Sequence, residues 1–351
     1  MILYIHIPFC DSKCHYCAFN SFVDKFELKT TYMEALHRQL LDELVHFQAT
    51  KHSITSVFIG GGTPSTIKPE LYKDLFTTLK PYLSDDCEIT TEANPNSATL
   101  TWLRGMQELG ITRLSLGVQS FDAKKLAFLG RNHTPQAAIK AVENAHKIGI
   151  QNISIDLIYA TSLDSKKLLT CDIDQAFALP INHLSSYALS IEQGTVFAGK
   201  NHYSHDTPQL ARFFIESIKK QGFPQYEISN FGTYKSRHNL GYWSGEDYIG
   251  LGAGAVGFLK NQRYYPTKDR ECYIKNPLEK TVENLNKEAL HVEKIFLGLR
   301  CKVGIAKKDI LVCEEQKVAI LLQEKKVFLS NNRYYNADYL LADEIALYII
   351  S

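Results

Sequence analysis

Three cysteines, Cys10, Cys14 and Cys17, stand within eight residues, directly after an apolar run from Ile2 to Ile7. The run reads as a buried β-strand, so the cysteine loop leaves a strand's C-terminal end. Three thiolates on a short loop can hold three irons of a cubane 4Fe–4S cluster and leave the fourth iron open to an exchangeable ligand. Other readings stay open on spacing alone. A structural zinc site wants a fourth ligand; the next cysteine is Cys87, and His15 lies between two candidate ligands, where backbone reach is poor. A disulfide would leave one thiol unpaired and asks for an oxidising compartment.

The residues beyond the loop indicate which architecture carries it. From Thr30 to Phe47, Met33, Leu36, Leu40, Leu44 and Phe47 recur at helical steps, with Thr30 or Thr31 as candidate N-cap. Ser56 to Ile59 reads as a strand entering Gly60-Gly61-Gly62-Thr63-Pro64, and then comes a helix through Leu71, Leu75, Leu79 and Leu83. Strands then recur at Glu88–Thr91 (ending on Glu92), Leu114–Val118 (ending on Gln119), Ile153–Leu157 (carrying Asp156) and Leu184–Leu189. Helical stretches separate them at Thr99–Leu109, around Leu126 and at Ala137–Ile148. Six such alternations demand parallel crossovers, and polar residues gather at the strand ends. The expected fold is α/β, a partial (β/α)6 barrel over residues 1–195. An extension over 196–287 holds His238-Asn239-Leu240-Gly241-Tyr242-Trp243 and the glycine-rich run from Gly250 to Ala255. Residues 288–351 read as a smaller C-terminal helical or α+β domain, winged-helix-like, with a Tyr-rich hairpin at Val327–Tyr335.

Composition removes several function classes. Lys plus Arg is 39 and Asp plus Glu is 38, for a net charge of +1, so no basic stripe argues for nucleic acid. No apolar run approaches the ~18 residues of a membrane span. The N-terminus is apolar but lacks a positive leader and a small-residue cleavage site, which makes it a first strand rather than a signal peptide. The other cysteines, Cys87, Cys171, Cys272, Cys301 and Cys313, show no pairing pattern. A reducing cytoplasm is the expected compartment.

The cysteine spacing, with Tyr16 just before the last cysteine, resembles the radical S-adenosylmethionine (SAM) superfamily, in which the open iron is chelated by SAM. Tyr4 to Cys10, Gly60 to Pro64, Thr91-Glu92-Ala93-Asn94-Pro95, Gly117 to Phe121 and Leu129-Gly130-Arg131-Asn132-His133 together resemble the oxygen-independent coproporphyrinogen III oxidase-like family. Within it, His238 to Trp243 is similar to the H-N-x-x-Y-W signature of the haem chaperone (HemW) branch; Tyr226 to Phe231 and Glu293 to Arg300 also look like that branch. The resemblance implies that Cys10, Cys14 and Cys17 ligate the cluster. It implies further that Gly61, Gly62 and Thr63 meet the amino group of SAM, and that Tyr4, Glu92, Gln119, Arg131 and Asp156 occupy SAM-contacting positions. SAM's carboxylate, ribose diol and sulfonium do call for a cation and hydrogen-bonding acceptors. Haem is the third expected cofactor. It wants an apolar slot and an axial ligand, for which His238, Tyr242 and Trp243 are candidates; core aromatics and a loop-capping histidine are the plain alternative.

Two features separate chaperone from oxidase. The oxidase branch carries a fourth cysteine where this chain has Phe19, and an N-terminal extension where this chain begins three residues before Tyr4. The chain also departs from the chaperone pattern, with Ala160-Thr161-Ser162-Leu163 in place of G-L-P-G and Val256 where many relatives have histidine. The expected function is a chaperone that binds haem and passes it to acceptor haem proteins, membrane-bound respiratory enzymes among them, without turnover of its own. The alternative is a porphyrinogen oxidase using a 5′-deoxyadenosyl radical; a nucleic-acid-modifying enzyme is disfavoured by the charge. A cytoplasmic protein, peripheral to the inner membrane face and able to pair with a second copy, fits this reading.

Overall fold

The computed structural model describes residues 1–351. Six parallel strands lie side by side in chain order: β1 (Ile2–Ile7), β2 (Ile54–Gly61), β3 (Leu83–Ala93), β4 (Arg113–Gln119), β5 (Asn152–Tyr159) and β6 (His183–Ala188). Between them run α1 (Lys29–His46), α2 (Lys73–Leu79), α3 (Leu100–Glu108), α4 (Ala123–Phe128), α5 (Pro135–Lys147) and α6 (Lys166–Phe177). The last four start where the sequence supplies an N-cap: Thr99, Asp122, Thr134 and Ser165 each accept a backbone N–H three residues on. The partial (β/α)6 architecture is therefore as expected.

Two local expectations fail. Helix α1 begins at Lys29 without a side-chain cap, continuing a short 3₁₀ turn, and the Thr31 hydroxyl bonds back to the Leu28 carbonyl instead. The helix expected to run through Leu83 stops after Leu79, and Leu83 opens β3. Pro81 explains this, because it lacks an N–H and its ring clashes with a preceding helical carbonyl.

The extension belongs to the same sheet. After α7 (Pro208–Lys220), β7 (Asn230–Gly232) adds antiparallel to β6. Helix α8 (Arg237–Ser244) leads to β8 (Tyr248–Leu251), parallel to β1; β9 (Gly257–Leu259), β10 (Gln262–Pro266), α9 (Arg270–Lys275) and β11 (Lys280–Asn284) complete an antiparallel flank. The eleven-stranded sheet stays open, with β11 and β7 at its edges. One core unites barrel and extension, from Leu3 and Ile5 to Phe214, Ile249 and Tyr273.

Residues beyond 286 form α10 (Lys287–Leu299), β12 (Ile305–Ala306), α11 (Glu315–Gln323), β13 (Val327–Ser330), β14 (Arg333–Asn336) and α12 (Ala342–Ile350). They enclose a separate core including Ile295, Leu299, Val318, Leu321 and Ile345. The hairpin joins β13 to β14 through Asn331 and Asn332, both left-handed, a geometry asparagine tolerates. No helix is long and apolar enough to cross a membrane.

Candidate functional site

Because the six strands are parallel, their C-terminal ends share one rim, and the cysteine loop leaves β1 there. The Phe22 carbonyl accepts from Cys10 N (2.9 Å) while Phe22 N donates to the Pro8 carbonyl (2.7 Å), closing the loop at its base. Inside it, the Lys13 ammonium donates to the Phe19 carbonyl and the Ser21 hydroxyl. Its far side is tied to the turn after α4, where His15 N donates to the Leu129 carbonyl and His15 Nδ1 to that of Phe128.

Cys10, Cys14 and Cys17 line one cavity of about 120 Å³ together with Tyr16, Gly61, Gly62, Thr63, Glu92, Gln119, Arg131 and Asp156. All eight cysteines are free thiols. No three His, Cys, Asp or Glu side chains converge where a single metal ion could sit, and His15 Nδ1 is held by the Phe128 carbonyl. A cubane asks each thiolate for a different iron and suits sulfurs spread around a cavity. Two donors already point at the sulfurs: Thr63 Oγ1 at Cys10 Sγ (3.4 Å) and Arg131 Nη1 at Cys14 Sγ (3.2 Å). Burial pushes the Cys10 and Cys17 thiols up. The residue set fits a three-cysteine cluster.

Gly61, Gly62 and Thr63 line the cavity, and the two glycine N–H groups are engaged within the fold. Gly62 N donates to the Ile7 carbonyl (2.7 Å) and Gly61 N to Glu92 Oε2 (3.2 Å). A Cβ on Gly62 would come within 2.8 Å of the Phe9 carbonyl and 3.0 Å of Cys10 Sγ, and Gly61 has φ +110 against the His6 ring. The triplet lets β2 press against the cysteine loop.

Glu92 and Asp156 face the cavity floor, with Ser115 Oγ donating to Asp156 Oδ1 (3.3 Å). Burial, and then the charge of Asp156, push the Glu92 carboxyl up to about 8; burial also raises Asp156. Arg131 is held on two sides: besides Cys14, its Nη2 donates to Asn94 Oδ1 (2.8 Å) and the Gly117 carbonyl (2.7 Å). Asn94 in turn donates to Thr63 Oγ1 (3.1 Å). Asn94, Ser115 and Lys13 are wall residues that sequence reasoning did not single out. Asn94 alone had a signal, standing beside Glu92 at a strand end.

Tyr4 does not reach this wall. It lies beside Phe58 inside the barrel, its hydroxyl against His6 Nδ1 (3.0 Å). Since His6 Nε2 donates to the Asn20 carbonyl, the Tyr4 hydroxyl is the donor of that pair. A second cavity of about 450 Å³ adjoins the first. It shares Tyr16, Cys17, Phe19, Glu92, Gln119 and Asp156 and adds Ile158, Tyr187, Leu189 and Glu192. Phe19, 69% exposed, forms the lip of both.

His238, Tyr242 and Trp243 lie at the opposite end of the barrel. The N-terminus of α8 is capped by the buried Glu88 carboxylate, which accepts from Arg237 N, His238 N and the Tyr234 hydroxyl. His238 is 1% exposed, its Nδ1 against Ser56 Oγ (2.9 Å) and its ring stacked on Phe58, while Nε2 has no partner. The three residues therefore do not share one open slot. Tyr242 and Trp243 line a third cavity, about 360 Å³, with Tyr248, Phe258, Lys260, Arg263 and Lys294.

Residues 4–162 match the radical SAM superfamily. The chain is 35% identical over 323 residues to the heme chaperone HemW of Bacillus subtilis (strain 168), covering 87% of this chain and 84% of that protein. It is 37% identical to the heme chaperone HemW of Escherichia coli (strain K12), over 73% of this chain and 69% of that one. Among solved structures it resembles coproporphyrinogen III oxidase (HemN) from Escherichia coli, a radical SAM enzyme, with a TM-score of 0.82 at 19% identity over 99% of this chain and 89% of that one. At that identity the likeness shows the fold.

Proposed function

We propose, for a chain that belongs to the heme chaperone HemW family of the radical SAM superfamily, that it binds haem and transfers it to haem proteins. The observation that carries this reading is that relatives matching most of the chain at 35% and 37% identity are haem chaperones, whereas the oxidase shares the fold at 19%. Phe19 supports it, since an exposed ring at the cavity lip offers no thiol or acid–base group.

At the barrel mouth, a 4Fe–4S cluster with SAM on its open iron supplies one-electron chemistry when bound. Cys10, Cys14 and Cys17 hold the cluster, and the Arg131 guanidinium, within reach of Cys14 Sγ, adds positive charge beside it. Glu92, Gln119 and Asp156 offer hydrogen-bond acceptors to the ammonium and ribose hydroxyls of SAM, and Tyr16 closes the wall next to Cys17. For haem, Tyr242 and Trp243 are the candidates that reach an open cavity, where Lys260 can meet a carboxylate beside Arg263 and Lys294, which pair with Glu293 and Asp309. His238 becomes available only when α8 loosens. The protein acts in the cytoplasm, meets membrane-bound respiratory acceptors at the inner face, and pairs with a second copy.

The test is anaerobic reconstitution followed by two parallel assays: spectral titration with haem, and incubation with coproporphyrinogen III, SAM and an electron donor. Stoichiometric haem binding without vinyl products is expected. Multiple-turnover product would overturn the chaperone reading in favour of the oxidase.

A further inference from the structure

A buried charge cluster sits behind the barrel rim, outside both mouth cavities. Lys125, on α4, is 0% exposed and places its ammonium 2.7 Å from Asp164 Oδ1 and 3.4 Å from Asp172 Oδ2. Both carboxylates are likewise shut away from water. Removing three charges from solvent is costly, and apolar side chains of the same size would pack there as well or better. The cluster therefore calls for a reason beyond packing.

That reason lies in what the remaining oxygen lone pairs hold. Asp172 takes Phe121 N (2.6 Å) and the Ser120 hydroxyl (2.9 Å). Asp164 Oδ2 takes Thr161 N (2.8 Å) and the Thr161 hydroxyl (2.9 Å). The residue just before each held segment has a left-handed backbone without being glycine: Gln119 at φ +68 and Ala160 at φ +62. Such a conformation is unfavourable for a side chain with a Cβ and persists only where its surroundings over-determine it. Gln119 ends β4 and lines both mouth cavities; Ala160 comes after the β5 residues Asp156, which lines both, and Ile158, which lines the larger one. Lys125 also accepts Leu129 N on its own carbonyl, and Arg131 N returns to Leu126, so the turn carrying Arg131 hangs from the same helix.

We propose that Lys125, Asp164 and Asp172 are positioning residues, which clamp two strained strand-end turns and thereby set Gln119, Asp156 and Arg131 for SAM. This rests on the reading of the barrel mouth as a SAM site. Neither carboxylate touches a mouth cavity, so their effect on SAM passes through Gln119, Ala160 and the turns they hold. Asp164 governs the β5 turn and Asp172 the β4 turn, which makes the two separable. Glycine at position 160 would adopt the left-handed turn without the clamp.

The experiment uses the full chain, reconstituted anaerobically, and reads iron content, melting temperature, SAM affinity by equilibrium dialysis and the change in the reduced cluster's electron paramagnetic resonance signal on adding SAM. Asp164→Asn and Asp172→Asn are each expected to keep iron and weaken SAM binding by about tenfold, the usual scale for supporting-shell changes. Ala160→Gly should restore affinity in Asp164→Asn and not in Asp172→Asn. If Asp172→Asn does not fold, Ser120→Ala, which leaves Lys125 paired, is expected to show the same loss. Wild-type affinity in the folded variants, or rescue by Ala160→Gly of both or neither, overturns the clamp while leaving the SAM site standing. Failure of the unaltered chain to bind SAM overturns the site reading and the clamp together.

Discussion

Replacing Glu92 by glutamine separates what the barrel mouth needs for ligand from what it needs for stability. The Glu92 carboxyl is pushed up to about 8 from an ordinary 4.5, first by burial and then by Asp156. An acid whose folded value lies above its unfolded value stabilises most when protonated in both states, below about pH 4.5. As pH rises from there to about 8, the unfolded chain ionises freely while the folded one resists, and stability falls by up to ~1.4 kcal/mol per pH unit. Across that window the ceiling is about 5 kcal/mol; the mouth is open to water, so roughly 2 kcal/mol is the expected fraction. Glutamine keeps an oxygen for Gly61 N, 3.2 Å away, and carries no charge toward Asp156. Glu92→Gln apoprotein should therefore be more stable by about 2 kcal/mol at pH 8, with the gain vanishing near pH 4.5. Reconstituted, the same variant should bind SAM more weakly, since a carboxylate facing an ammonium or ribose is lost. Urea titrations of both proteins at pH 5, 6.5 and 8 measure the first effect. A pH-independent difference, or a loss of stability at pH 8, would refute the reasoning.

Cys14→Ala should fold yet take up no iron–sulfur chromophore, while Cys171→Ala and Cys313→Ala, exposed and away from the cavity, reconstitute fully by visible absorbance. Gly62→Ala should lower cluster content, because its Cβ would meet two backbone carbonyls, those of Phe9 and Ile7, which cannot turn aside as a side chain does; iron analysis decides it. Arg131→Ala should weaken SAM binding by about 1.5–3 kcal/mol, the value of a hydrogen bond to a charged group. Arg131→Lys should rescue little, since one ammonium cannot span Cys14, Asn94 and Gly117 in one plane.

Much of this mouth was legible because parallel topology turns sequence order into spatial order. A residue at the end of each apolar run must arrive at the same rim, so Glu92, Gln119 and Asp156 could be gathered from the run endings alone. The glycine triplet was read at the rim where it lies, and the structure adds a packing role that its sequence does not announce. Its amides serve Ile7 and Glu92, and nothing in Gly60-Gly61-Gly62 tells a ligand cradle from a packing joint. The clamp was hidden for a related cause. Lys125, Asp164 and Asp172 read singly as solvated charges on helices and loops, and only the fold brings their side chains together under Gln119 and Ala160.

The H-N-x-x-Y-W segment shows where local reading stops. Its histidine, tyrosine and tryptophan have the chemistry a macrocycle wants, yet their environment is set by residues far away in the chain. Glu88, 150 residues before His238, fixes the helix start, and Ser56 takes the imidazole. Burial, then Arg113, lower His238 to about 3, so its ring is neutral in the folded barrel and Nε2 is a lone pair or proton without a partner. A neutral imidazole is what an iron requires, but this one faces the barrel interior beside Phe58 and Tyr4. Haem reaching His238 must displace α8 from Glu88, leaving a buried carboxylate without two of its backbone donors. Haem held by Tyr242 and Trp243 in the cavity beside Arg263 needs no such opening. Glu88→Gln weakens the cap, and its hydrogen bond from Tyr234, without touching Tyr242 or Trp243, so it should speed haem binding in the first case and leave it unchanged in the second. Stopped-flow absorbance with the two proteins at equal haem distinguishes them, and faster binding would place the histidine, not the surface aromatics, on the iron.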